Sequence, residues 1–232
     1  VLVMDTDLTP DGGPTTASRQ TFVTGNAARL AAQSLREAVS ASLAEKYNTP
    51  PNEINFVEGL AQVGEAQVSL GEAARIMRDE GKRPVTMYEY WAPETKPLGE
   101  GGDMHFAFSF AAQAAEVAVD TRTGAVEVLR VIAATDVGKA LNPLGLLGQI
   151  EGGVMMAIGN AITEEFILED GYIFTDRMAR YRIPSIKYTP EIIPIVIEDP
   201  AAEGPYGAKG IGEVISIPTT PAITNAIYNA VG

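Results

Sequence analysis

Met104-His-Phe-Ala-Phe-Ser-Phe-Ala-Ala-Gln-Ala-Ala-Glu-Val-Ala-Val-Asp120-Thr-Arg-Thr-Gly124-Ala-Val-Glu-Val-Leu-Arg-Val-Ile132 is the stretch that decides the fold. Phe106, Phe108, Phe110, Ala112 and Ala114 recur with the period of a strand, and Val117 and Val119 continue it. Asp120-Thr-Arg-Thr-Gly124 makes a turn, after which Val126 and Val128 return. The stretch therefore reads as a long hairpin in the rigid middle of a sheet. The three phenylalanines should be buried together, and Phe108→Ala should cost on the order of 3–5 kcal/mol. His105 opens the strand as a structural residue.

Downstream, Asn142-Pro143 starts a helix that runs to about Glu165 despite internal glycines. Asp170-Gly171 turns between strands near 164–168 and 172–175, and Ile192 to Ile197 is another strand region. A glycine-rich loop covers Ala201 to Gly212. Thr219-Thr220-Pro221 caps a last helix, with proline in its first turn.

Upstream, Pro93 to Asp103 is a loop and the candidate internal boundary. Residues 85–91 read as a strand, packed by Tyr88 and Trp91. Ser69-x-x-Glu72 has the form of a capping box, opening a helix that stops near Gly81. Ile54 to Val57 and Gln67 to Ser69 are short β pieces. From Asn26, Ala27, Ala31, Leu35 and Ala38 share one face of a helix that ends before Pro50-Pro51, because proline disfavours α geometry at Thr49. Asp7 to Thr16 is a loop, and residues 1–6 read as a short strand. The order of elements gives an α+β class with mixed β-sheets and helices packed on one face. Both chain ends read as cut from something larger.

Composition narrows the function. At 232 residues and 46% hydrophobic, the chain can bury a core. A net charge of −13 opposes phosphate, so no nucleic-acid partner is expected. No apolar run is long enough to span a bilayer, and no signal peptide is visible, so a cytoplasmic setting without a membrane partner is expected. With no cysteine and one histidine, thiolate and multi-histidine metal sites are excluded within these residues. Any metal must arrive on a cofactor or be held by another chain.

Three segments carry candidate chemistry. Gly204-Pro-Tyr-Gly-Ala-Lys209-Gly-Ile-Gly-Glu213 has four glycines in the nine positions before its carboxylate. Such a run lets backbone approach a partner and present N–H groups, although it also suits a plain surface loop. Lys209 is not followed by Ser or Thr, so this is no Walker A loop. Glu213 lies between the glycines and the apolar Val214 to Ile217. Partial burial there would raise its pKa and suit it to take a proton.

Leu147-Gly148-Gln149-Ile-Glu-Gly152-Gly153 places glycines in a helix, each costing roughly 1 kcal/mol relative to alanine. Close approach of another helix or of a ligand would explain them, and Gln149 offers a donor and an acceptor to a heterocycle edge. Gly12-Gly-Pro-Thr-Thr-Ala17-Ser18-Arg-Gln20-Thr21 sets hydroxyls and an amide before a helix, fit either to cradle a ligand or to cap the helix.

In order and rough spacing these segments resemble the molybdenum hydroxylases, the xanthine dehydrogenase and aldehyde oxidoreductase family. Thr-Ala17-Ser18-Arg-Gln20-Thr21 before Gly-Asn-Ala-Ala-Arg is similar to the family's molybdopterin-contacting segment. Asp136-Val-Gly-Lys-Ala-Leu-Asn142-Pro143, followed by Gly148-Gln149-Ile-Glu-Gly152-Gly153, resembles the next signature. Lys209-Gly-Ile-Gly-Glu213 resembles the loop that ends in the catalytic glutamate.

The resemblance covers essentially the whole chain and implies the C-terminal portion of a large molybdopterin-binding subunit, of molybdenum-cofactor-binding domain type. It implies an oxidoreductase that hydroxylates an aldehyde or N-heterocycle with water-derived oxygen, and it makes Glu213 the general base. Ala17, Ser18, Gln20, Thr21, Gly148, Gln149 and Gly212 would line the molybdopterin-type cofactor, and no side chain would ligate the metal.

Iron–sulfur clusters and FAD would sit on partner chains or domains, in an oligomer. A glycine-rich Phe-containing loop and an arginine known in the family have no counterpart in these residues. An upstream half of the subunit is therefore expected to complete the site. Two other readings stay open: a non-catalytic cofactor-binding or assembly module, which the presence of Glu213 argues against, and an enzyme of altered chemistry, of carbon monoxide dehydrogenase or aromatic acyl-CoA reductase type.

Overall fold

The computed structural model describes residues 5–232. The strand expected at 1–6 lies mostly outside them, and Asp5 opens a turn closed by Thr9 N–H on its carbonyl at 2.8 Å. The chain divides into two compact units. One is Val23–Ala92, and the other joins the N-terminal segment up to Phe22 with Pro93–Gly232.

In the first unit, helix α1 (Gln20–Tyr47, whose first residues belong to the other unit) precedes a three-stranded antiparallel meander. Its strands are β1 (Asn55–Val57), β2 (Leu60–Val63) and β3 (Ala66–Ser69). The helix starts at Gln20, earlier than Asn26. Helix α2 (Leu70–Asp79) begins as expected, with the Ser69 hydroxyl accepting Glu72 N–H at 3.2 Å. Val39 and Leu43 pack with Ile54, Val63, Val68, Ile76 and Met77 into one core. The stretch at 85–91 is not a strand, because no neighbouring strand pairs with it. Tyr88 and Trp91 are exposed there instead of packing.

In the second unit, β4 (Ala111–Val119) and β5 (Val126–Asp136) form the hairpin. Asp120 closes it: its carbonyl accepts Gly124 N–H at 2.7 Å, and its carboxylate accepts Arg122 N–H at 2.9 Å. Gly124 sits at φ +75, a region open to glycine without a side-chain clash. A register shift at Glu116/Val117 leaves Leu129 and Arg130 both facing out, while Val128 and Val131 both face the core.

Helix α3 (Pro143–Ile158) starts where Asn142 Oδ1 accepts Gly145 N–H at 3.1 Å, and a π turn extends it to Thr163. A small hairpin, β6 (Leu168–Glu169) and β7 (Tyr172–Ile173), follows, then a short helix α4 (Met178–Tyr181). Strand β8 (Glu191–Ile197) returns parallel to β5, giving a mixed sheet ordered β4-β5-β8. Helix α5 (Thr219–Val231) closes the chain. Thr219 does not cap it: its hydroxyl donates to Gln113 Oε1 at 2.6 Å from inside the first turn. Ile150, Val154 and Ile158 of α3, Ile215, and Ile223 of α5 meet Val128, Val131 and Ala133 on one face of the sheet. The chain is therefore α+β with a mixed sheet. No helix among the described residues is long and apolar enough to cross a membrane.

The hairpin is shorter than its alternation implies. Strand β5 ends at Asp136, whose N–H makes the last bond to Phe110 carbonyl, so residues 104–110 have no strand to pair with. The three phenylalanines do not share a core. Phe106 is half-buried against the Phe22 ring with centroids 5.5 Å apart, whereas Phe108 and Phe110 are 59% and 69% exposed. Phe108→Ala is thus expected to cost less than about 1 kcal/mol in urea unfolding. A larger loss would mean that this ring is covered in the protein studied.

Candidate functional site

The glycine loop is anchored before it reaches Glu213. Gly138, at φ +65, lies so close to the loop that any Cβ would collide with the Gly207 carbonyl oxygen. Lys209 N–H donates to Val137 carbonyl at 3.0 Å, and Lys139 N–H donates to Gly207 carbonyl at 2.9 Å. Beneath this ladder, Lys209 Nζ meets Asp136 Oδ2 at 2.5 Å, with both side chains 6% exposed, and reaches Asp199 Oδ2 at 3.4 Å. The other oxygen of Asp136 accepts Gly138 N–H at 3.0 Å. Burial opposes the charge on Lys209, but Asp136 and then Asp199 hold its ammonium above the ordinary lysine range. The buried pair ties the end of β5 to the loop that presents Glu213. Reading by motif missed it, although Asp136 and Lys209 each head a quoted signature.

Beyond Lys209 the loop runs along the N-terminal segment. Gly210 packs on Ser18 so closely that a Cβ would strike the Ser18 carbonyl oxygen, and a Cβ on Gly212 would lie 3.2 Å from Ser18 Oγ. Ala17 and Ser18 both sit in the left-handed region, at φ +50 and +53. Arg19 braces the turn through Nη1, which donates to the carbonyls of Gly12 at 2.8 Å and Pro14 at 3.0 Å.

Glu213 N–H donates to Ser18 Oγ at 3.0 Å, and Ser18 Oγ donates to Glu213 Oε2 at 3.1 Å. Gln149, in the second turn of α3, donates from Nε2 to Gly212 carbonyl at 3.3 Å. The three separated segments are thus brought to one junction of Ser18, Gly210, Gly212, Glu213 and Gln149. Ala17 is exposed beside it, and Gln20 and Thr21 follow in the first turn of α1. Gln20 directs its amide to Thr15 Oγ1 at 3.1 Å. Gly148 lines an open groove of about 350 Å³ with Gly152, Met155 and Ile192. Gly153 has the structural role open to it, since a Cβ there would lie 2.8 Å from Ile215 Cγ2.

Glu213 is exposed, contrary to the partial burial expected from its apolar neighbours. Ile215 is the residue that turns inward. It is fully buried, with its carbonyl held by Gln113 Nε2 at 2.7 Å, and Glu213 is left facing solvent. Among the described residues no cluster of three His, Cys, Asp or Glu could hold a metal ion.

A profile of the molybdopterin cofactor-binding domain family matches residues 1–190, which takes in Ser18 and Gln149 and stops short of Glu213. The chain belongs to that family. It is 32% identical to a probable xanthine dehydrogenase subunit of Bacillus subtilis, over 100% of this chain and 31% of the relative. Among solved structures it resembles the aldehyde oxidoreductase of Desulfovibrio desulfuricans at TM-score 0.71 and 32% identity, over 95% of this chain and 22% of the other. It also shares the fold of the carbon monoxide dehydrogenase of Oligotropha carboxidovorans, at TM-score 0.80 and 23% identity, over 97% and 28% of the two chains. The chain thus spans about a third of the length of the curated relative, 31%.

Proposed function

We propose that these residues are the C-terminal portion of the large subunit of a molybdenum-dependent oxidoreductase that hydroxylates an aldehyde or an N-heterocycle with oxygen from water, with Glu213 as general base. The observation that carries the reading is the junction itself. It presents an exposed carboxylate where the Ser18, Gln149 and Gly212 segments meet, and Glu213 Oε1 has no hydrogen-bond partner among the described residues.

The donor set fits a molybdopterin-type cofactor. Gln149, Gln20 and Thr21 carry neutral amides and a hydroxyl, suited to a heterocycle edge and its polar substituents rather than to direct metal ligation. Gln149 Oε1 has no partner among the described residues and stays available as an acceptor. Bound there, the cofactor supplies oxygen-atom and two-electron redox chemistry. Gln149 and the first turn of α1 hold and orient it. Glu213 Oε1 takes the proton from the water-derived oxygen that is delivered to substrate. An upstream half of the subunit completes the pocket, and iron–sulfur and flavin partners carry the electrons away.

The test is turnover by the assembled protein in isotope-labelled water, with molybdenum measured per chain. The label is expected in the hydroxylated product, and these residues purified alone are expected to hold far less than one molybdenum per chain. Product oxygen derived from dioxygen would end the hydroxylase reading.

A further inference from the structure

The resemblance assigns Ser18 to the cofactor, yet its hydroxyl is engaged elsewhere. Both hydrogen-bond partners of Ser18 Oγ are atoms of Glu213: the backbone N–H donates to it at 3.0 Å, and it donates to carboxylate Oε2 at 3.1 Å. A hydroxyl has one proton to give, and here it goes to the carboxylate.

The backbone is built to bring it there. Ala17 and Ser18 are consecutive non-glycine residues at φ +50 and +53, a conformation disfavoured for an L side chain. Gly210 removes the Cβ that would collide with the Ser18 carbonyl, so the two segments close face to face. Strain of this kind persists only where the surroundings over-determine it. Its result is a hydroxyl that spans the amide and the carboxylate of one residue 195 positions away.

We propose that Ser18 is a positioning residue for Glu213. Its hydroxyl fixes the carboxylate by Oε2, which turns Oε1 outward as the proton acceptor. The proposal rests on the reading of Glu213 as the base.

The test uses the assembled protein carrying Ser18→Ala and, separately, Ser18→Gly. Glycine relieves the left-handed backbone while alanine retains it, and both lack the hydroxyl. If the hydroxyl is what matters, both variants lower kcat per bound molybdenum about tenfold, with KM within about twofold.

A second readout is independent of turnover. In a crystal structure of either variant, the Glu213 carboxylate leaves the position it holds in wild type. A kcat within about twofold of wild type together with an unmoved carboxylate in both variants overturns the proposal. So does a loss of kcat in Ser18→Ala that Ser18→Gly lacks, since the backbone would then be its cause. Failure of the base reading itself looks different: Glu213→Gln would keep its turnover.

Discussion

Glu213→Gln is expected to lower kcat per bound molybdenum by at least about 100-fold in the assembled protein, within the about 100-fold to 10,000-fold range of general-base assistance. Glutamine keeps the size of the side chain and can still accept from Ser18, so the junction with Ser18 and Gly212 is retained. What is lost is the oxygen that takes a proton. That transfer belongs to the transition state, so the loss falls on kcat, while substrate affinity and molybdenum content hold. A residue that only tied the loop to Ser18 would behave otherwise, lowering stability while the folded fraction kept its activity. Metal-normalised kcat separates the two, and a value within about threefold of wild type would end the catalytic assignment.

Lys209→Met is expected to destabilise the protein by about 3–5 kcal/mol, because it strands the carboxylate of Asp136 without its buried partner. At 6% exposure neither charge is relieved by water. Asp136→Asn should cost a similar amount from the other side. Replacing both by apolar residues of matching volume should cost less than either single change, since no buried charge is then left over. Urea unfolding of the three variants checks this, and a single-variant loss below about 1 kcal/mol would mean the pair is hydrated in solution. Because the folded state holds Lys209 protonated above its ordinary range, its contribution is fully present below the unfolded lysine value. It is lost only as alkaline pH rises through the folded one, so stability should be insensitive to the titration of Lys209 across neutral pH.

Local signals in the sequence translated well. The turn at Asp120–Gly124, the cap at Ser69 and the start at Asn142 each depend on a handful of adjacent residues, and each is found. The errors arose where a pattern needed a distant partner. Alternating phenylalanines at 106–110 satisfy the period of a strand, but β5 ends at Asp136 and leaves them unpaired. Residues 85–91 fail for the same reason. The junction of Ser18, Gln149 and Glu213 could not be read from spacing at all; only the joint likeness of three motifs pointed to it. Glu213 was placed by its neighbours' hydropathy, which does not tell which of Glu213 and Ile215 turns inward. The Lys209–Asp136 pair was likewise hidden, because a buried salt bridge leaves no period in a sequence.

The parallel pairing of β5 with β8 sets an order of events during synthesis. Arg130 is aligned with Glu191, and Ser18 with Glu213 across 195 positions, so neither contact can form until most of these residues have left the ribosome. Contacts of such long range are entropically slow to close. The emerging chain can complete its hairpin early, but it cannot present Glu213 to Ser18 before the loop ahead of the last helix is made. Until that moment β5 keeps an open edge and Ser18 lacks both of its partners. The junction is therefore a late product of folding, made when residues far apart in these 232 come into contact.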